Sequence, residues 1–199
     1  MAAEADAALV ARLRGGDRSA FRELHARFAQ ATFGFLHRLA GRRDVAEDLH
    51  QEIWLSIARH AARLAPDTDL PAWIFTVARN RFISSRRRAD IAVPSIDLTA
   101  GRAPETTAEL PPDDPTCRDL ERALASLPEA HREILLLVGV EGLEVAQAAA
   151  VLAIRPDAAR QRLARARAAL AERLAESDGA AAPVRVPLPV PMTGRKART

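Results

Sequence analysis

Tyrosine is missing from this 199-residue chain, phenylalanine and tryptophan together supply only 4% of it, and cysteine and lysine occur once each, as Cys117 and Lys196. A single cysteine excludes an intrachain disulfide and a thiolate metal site, and it fits a reducing compartment. Long apolar runs are absent too, since none approaches the roughly 18 residues that a membrane-spanning helix needs. The opening stretch from Met1 to Leu13 mixes Glu4, Asp6 and Arg12 among its alanines, which a secretory leader would not. These features predict a cytoplasmic chain without membrane insertion. The five histidines, His25, His37, His50, His60 and His131, are scattered, with no nucleophile–base pairing and no metal-ligand spacing. No enzyme, metal, cofactor or small-molecule substrate is therefore expected.

What is abundant is alanine, leucine and arginine. Alanine loses no side-chain entropy on entering a helix, so an alanine-rich chain with few β-branched residues is expected to be all-α. The formal charge is only +3, yet the sequence pI is about 10.2, because nearly all the base is arginine. Its distribution is more informative than its sum. Between Arg79 and Arg88 lie five arginines and no acid, and residues 159–175 hold five arginines against Glu172 alone. Between these patches, residues 105–121 carry six acids against Arg118. Two basic patches separated by an acidic spacer point to a polyanion touched at two places.

Helical periodicity organises the chain. A short helix over residues 5–13 stops at Gly15 and Gly16, and Asp17 then stands at an N-cap position. Phe21, Leu24, Phe28, Phe35 and Leu39 repeat at helical spacing as far as Gly41. Asp44 and Glu47 have the spacing of a capping box, followed by a buried stripe of Val45, Leu49, Ile53 and Ile57. Pro71 opens a further helix expected to run to about Arg87. Its apolar residues Trp73, Ile74, Phe75, Val77, Ala78 and Phe82 exceed one core stripe, so it is either buried on two sides or holds an apolar face out for a ligand. Prolines 94, 104, 111, 112 and 115 mark residues 89–116 as a flexible linker. The proline-rich, basic end from 177 to 199 reads as a disordered tail. Two small helical domains, 1–88 and 117–176, remain.

Within the second domain, residues 144–152, a tight turn at 153–155, and a basic stretch from Pro156 to about Leu174 have the plan of a helix-turn-helix. In that plan Ala149, Leu152, Ile154, Ala159 and Leu163 pack the two helices together. Asp157 lies near the start of the recognition helix, and Arg160, Gln161 and Arg165 point to the major groove. Arginine can grip guanine O6 and N7 with two hydrogen bonds, and glutamine can pair similarly with adenine. Arg162 and Arg167 are better placed for phosphates.

With that motif in place, nearly the whole chain resembles the sigma-70 superfamily, and within it the small extracytoplasmic-function (group 4) sigma factors that keep only region 2 and region 4. The first half carries the resemblance in Gly16-Asp17 with Ala20-Phe21, in the block from Asp44 to Leu55, and in the block from Ala72 to Asn80 followed by Arg86, Arg87 and Arg88. The second half carries it in Leu127-Pro128-Glu129, the block from Arg132 to Leu137, Glu141-Gly142-Leu143 and the basic helix. The resemblance implies a region 2 bundle over 1–88 and a region 4 helix-turn-helix over 117–176. It also implies a transcription initiation factor that brings RNA polymerase core, through its β′ and β subunits, to promoter DNA, and that is held in check by an anti-sigma factor.

Site residues follow from the same resemblance. Asp44, Glu47, Asp48, Gln51, Glu52 and Leu55 would dock on core polymerase, for which an acidic face suits a basic protein partner better than it suits DNA. Arg63, Arg79, Asn80, Arg81, Arg86, Arg87 and Arg88 would hold the melted minus-10 strand, where phosphates need cations and an unstacked base needs a substitute pocket. Asp157, Arg160, Gln161, Arg162, Arg165 and Arg167 would meet the minus-35 duplex. Three positions depart from the family: Ala153 stands for a usual turn glycine, Ala146 for a common glutamate and Ala158 for a recognition-helix threonine. Two alternatives compete. A sigma-like mimic that sequesters an anti-sigma factor without binding DNA would not need the arginines at 79–88. A free-standing helix-turn-helix regulator would leave the acidic helix without a purpose.

Overall fold

The computed structural model describes residues 2–92 and 115–180, with side chains from 4 to 89 and from 117 to 176, and these residues form helices with no strand among them. The expected linker and tail fall largely outside the described residues. The all-α expectation holds.

Four helices make the first half: α1 (Ala2–Arg14), α2 (Arg18–Ala40), α3 (Arg43–His60) and α4 (Leu70–Ala92), with a 3₁₀ turn at Ala61–Arg63. Asp17 caps α2 as its position suggested, its carboxylate accepting from the Ser19 amide at 2.7 Å and the Ser19 hydroxyl at 2.6 Å. Those bonds, together with one from Arg12, hold the Asp17 carboxyl well below the usual range. At the other end Gly41 takes φ 67°, and its N–H donates to the His37 carbonyl at 2.9 Å, which closes the helix where a side chain would be strained. The core between α2, α3 and α4 is filled by Leu24, Phe35, Leu36, Ile53, Ile57, Ile74 and Phe75, all buried. Phe35 and Phe75 meet edge to face at 5.3 Å.

The expected capping box at Asp44 and Glu47 does not form. Helix α3 begins two residues earlier than an Asp44 cap would set it, at Arg43, with Arg42 as an N-cap whose side chain makes no capping bond. Asp44 instead pairs with Arg42, and Glu47 with Arg43 at 2.9 Å. Two arginines just before the acids draw both carboxylates out of the reciprocal cap, because a charged partner makes the stronger hydrogen bond, although Asp44 still accepts from the adjacent Val45 amide at 2.9 Å.

The second half comprises α5 (Pro115–Ser126), α6 (Glu129–Leu135), a π-helical turn (Leu136–Val140), α7 (Val145–Leu152) and α8 (Pro156–Ala180). Arg132 ties α5 to α6 by donating to the carbonyls of Leu124, Ala125 and Leu127. A capping box starts α7: the Glu144 amide donates to Gln147 Oε1 at 2.8 Å while the Glu144 side chain accepts from the backbone of the first turn. The turn into α8 is made by Ala153 at φ 54°, ψ 44°, with its N–H on Ala150 and that of Ile154 on Ala149. Ala149, Leu152, Ala159 and Leu163 are buried between α7 and α8, and Ile154 is half-buried beside them.

The two halves pack together. Helix α7 lies against α4, so α4 is covered by α2 and α3 on one flank and by α7 on another. This accounts for four of its excess apolar residues, Ile74, Phe75, Ala78 and Phe82, which are buried because the helix is covered twice, while Trp73 and Val77 stay half-buried on a side left open.

Candidate nucleic-acid and partner interfaces

Helix α3 presents its acids outward because Ala46, Leu49, Ile53 and Ile57 occupy the core-facing stripe. Asp44, Asp48, Gln51 and Leu55 then fall on one exposed face at three- and four-residue intervals, and Leu55 is 58% exposed. Glu47 is exposed on the edge of that face. Glu52 has turned towards α4, where it pairs with Arg81 and its carboxyl is held below the usual range by that guanidinium. Five of the six residues expected to dock on a protein partner are thus at the surface, and the sixth is half-buried in an ion pair.

The α4 residues divide between two faces. Trp73, Val77, Asn80 and Arg81, with Leu55, Arg59 and Arg63 from across the way, line an open groove of about 780 Å³ between α3 and α4. The groove has an aromatic wall, an amide and several guanidiniums around it, which suits an unstacked base with its phosphates. Trp73 is half-buried along this wall, while Phe75 is a core residue. Arg87 and Arg88 extend the basic character along the exposed end of α4.

Arg79 and Arg86 are a helical repeat apart on a different face, and both reach into the second half of the chain. Arg79 grips the carboxylate of Glu133 in α6 with two bonds, Nε at 2.8 Å and Nη2 at 3.3 Å. Glu133 is almost wholly buried, its side chain 4% exposed. Arg86 pairs with Glu129, one turn earlier in α6. Nearby, Arg38 of α2 pairs with Glu121 of α5 at 2.9 Å. Asp69 joins the same contact: its Oδ1 accepts from the Ala72 amide at the start of α4, and its Oδ2 accepts from Gln147 of α7 at 2.8 Å. The sequence reading missed these acids. Their one visible signal is spacing, since Glu129 and Glu133 are four apart on a helix and Arg79 and Arg86 are seven apart.

On α8 the buried stripe of Ala159, Leu163 and Ala166 turns Arg160, Gln161, Arg165 and Arg167 to solvent, with Arg162 half-buried. Asp157 lies in the first turn and pairs with Arg160. The exposed face is therefore a row of arginines with one amide, at the spacing of a groove-reading helix. Among the described residues no group of histidine, cysteine, aspartate and glutamate is arranged to hold a metal ion, and no helix is long and apolar enough to cross a membrane.

Residues 24–91 match the family model for Sigma-70 region 2, and residues 117–170 match that for Sigma-70, region 4. The RNA polymerase sigma factor CarQ of Myxococcus xanthus is 37% identical over 171 residues, covering 84% of this chain and 96% of that protein. The ECF RNA polymerase sigma factor SigF of Caulobacter vibrioides is 36% identical over 180 residues, covering 86% and 95%. Among solved structures, the sigma factor RpoE from Bartonella quintana, determined in complex with the anti-sigma factor NepR, matches at a TM-score of 0.63 and 26% identity over 78% of this chain and 96% of that one. Two region models in family order, on helices that carry an acidic face, a basic groove and a helix-turn-helix, establish that the chain belongs to the sigma-70 family as an extracytoplasmic-function RNA polymerase sigma factor, which directs core polymerase to promoters to initiate transcription.

Proposed function

We propose a division of labour among three surfaces of this sigma factor. The exposed face of α3, with Asp44, Glu47, Asp48, Gln51 and Leu55, docks on a basic surface of core polymerase, and Glu52 steadies the neighbouring groove through Arg81. The groove between α3 and α4 receives the melted minus-10 strand, with Asn80 and Trp73 against a base and Arg63, Arg81, Arg87 and Arg88 on phosphates. Arg79 and Arg86 belong to the same strand-holding set. On the minus-35 duplex, Arg160, Gln161 and Arg165 face base edges and Arg162 and Arg167 face the backbone.

The observation that carries this reading is the separation of charge by element. The acids of α3 and the arginines of α8 are exposed on different helices in different halves, so a protein partner and a duplex can be held at once. The chain works in the cytoplasm, catalyses nothing by itself, and is restrained by an anti-sigma factor, as the complex of the RpoE relative suggests. A mimic that only sequesters an anti-sigma factor would have no use for the exposed arginine row of α8.

Reconstitution with purified core polymerase tests the assignment. Asp48→Arg with Gln51→Arg should lower core binding at least about tenfold, since like charges then face one another. Arg160→Ala with Arg165→Ala should leave core binding intact and remove upstream-duplex recognition, each lost bidentate contact being worth about 1–3 kcal/mol. Equal transcription from all promoters by the second variant would refute the role given to α8.

A further inference from the structure

We propose that the free chain pairs with a second copy of itself through the exposed face of α3, the acids of each copy lying against a cleft flanked by Arg18 and Arg22 on the other. The contact stands on the residues of this face alone. Only its consequence for transcription rests on the reading that the same face docks on core polymerase.

The face has three zones along one helix. Asp44 and Asp48 lie at its start, Gln51 and Leu55 at its centre, and Ala58 continues the same three- and four-residue spacing to the end of α3. There the stripe runs into an open cleft of about 650 Å³, walled by Leu13 of α1, Phe21 of α2, Ala58 and Ala62. Phe21 is held in place by the edge-to-face contact of its ring with Trp54, at 6.0 Å. Arg18 and Arg22, one turn apart on α2, line the same cleft and are exposed. The acids next to them in the chain, Asp17 and Glu23, are both taken by Arg12, at 3.0 and 2.7 Å. Arg18 and Arg22 consequently have no ion-pair partner among the described residues, and neither has Asp48 at the other end of the face. Asp44 pairs with Arg42 in an exposed contact, which is weak and readily exchanged.

An acidic start, an apolar centre and a basic end make the face complementary to itself when two copies lie antiparallel. A twofold axis at the level of residue 53 sets Asp48 of each copy against Ala58 of the other, since each lies roughly 7 Å from it along the helix. Asp44 and Asp48 then meet the guanidiniums of Arg18 and Arg22 at both ends, and the two Leu55 side chains pack beside the axis. An isologous contact of this kind closes on itself, so association stops at two copies. Leu55 is 58% exposed in the single chain, and covering it against its copy gives the contact a water-excluding centre, while the charges fix its register. Nucleic acid is a poor occupant of the same face, because the acids of α3 would repel its phosphates. The pair buries the docking face of α3, so self-association and core polymerase compete by mass action.

Sedimentation velocity of the full-length chain, over a range of concentrations at low salt, reads the association. The unaltered chain should pass from one copy to two as its concentration rises, and added salt should reverse this. Arg18→Glu with Arg22→Glu, and separately Asp44→Arg with Asp48→Arg, should each weaken pairing at least about tenfold, because like charges then face one another at both ends. Mixing the two variants should restore it, since each supplies the charge that the other lacks. All four positions are exposed, so the substitutions leave the core alone. An unaltered chain that stays single throughout would overturn the proposal and leave the cleft to a partner of another kind. Pairing that both variants keep would put the contact on a different face, and a mixture that stays single would refute the complementarity. Labelled pairs added to core polymerase keep the two readings apart: pairs that bind core without separating would overturn the competition and the docking role of α3, with the pairing itself intact.

Discussion

Ala153 sits in the left-handed region at the turn of the helix-turn-helix, the one position among the described residues where a side chain other than glycine has a positive φ. An L-residue there costs about 1–2 kcal/mol, and glycine would recover this at an unfolded-state cost of about 0.5–1 kcal/mol. Ala153→Gly should therefore stabilise the second half by roughly 0.5–1 kcal/mol and raise its melting temperature by a few degrees, as followed by circular dichroism. A lower melting temperature would show that the alanine methyl makes a compensating contact. The family departure was visible in the sequence, but the backbone conformation that gives it meaning was not. The reverse occurred at Asp44 and Glu47, where a legible capping box lost its acids to Arg42 and Arg43.

Among the elements, the segment after α6 joins burial to titration. The backbone passes through a π-helical turn to Glu141, whose N–H donates to the Leu136 carbonyl at 2.9 Å. Burial pushes the Glu141 carboxyl up to about 7, and Arg38 of α2 opposes that rise. The folded chain thus retains a proton that the unfolded chain releases near pH 4.5. Its contribution to stability is complete below that pH and is lost as pH rises towards 7. His37, whose pKa burial lowers, slopes the other way, because acid charges it more readily in the unfolded state. Subtracting the profile of Glu141→Gln from that of the parent isolates the carboxyl: denaturant midpoints should converge below pH 4.5 and differ most above 7, with the variant the more stable. A constant difference across this range would show that the carboxyl does not titrate there.

For the whole molecule, the contact between halves mixes ion pairs of different burial, and salt should tell them apart. Arg86–Glu129 is half exposed, while Arg79–Glu133 is mostly shielded. Screening weakens exposed charges far more than buried ones. Raising salt to about 1 M, where the Debye length is about 3 Å, should therefore expand the chain less than replacing both glutamates by glutamine. Equal expansion, measured by scattering, would mean that the buried pair is accessible to ions and that the apolar packing of α7 on α4 adds little.

Much of the molecule was determined by the sequence alone. The helices, their buried stripes and the helix-turn-helix follow from spacing, because a 3.6-residue period fixes which side chains share a face whatever the helix packs against. For that reason the outward face of α3 and the arginine row of α8 could be named in advance. Tertiary structure decided what lies opposite each face. Only the covering of α4 on two flanks explains why Ile74, Phe75, Ala78 and Phe82 are all buried, and only the approach of α6 turns Arg79 and Arg86 from open cations into paired ones. Helical periodicity carries no information about partners 54 residues away, and a charge is free or neutralised according to what long-range folding brings within about 3 Å of it.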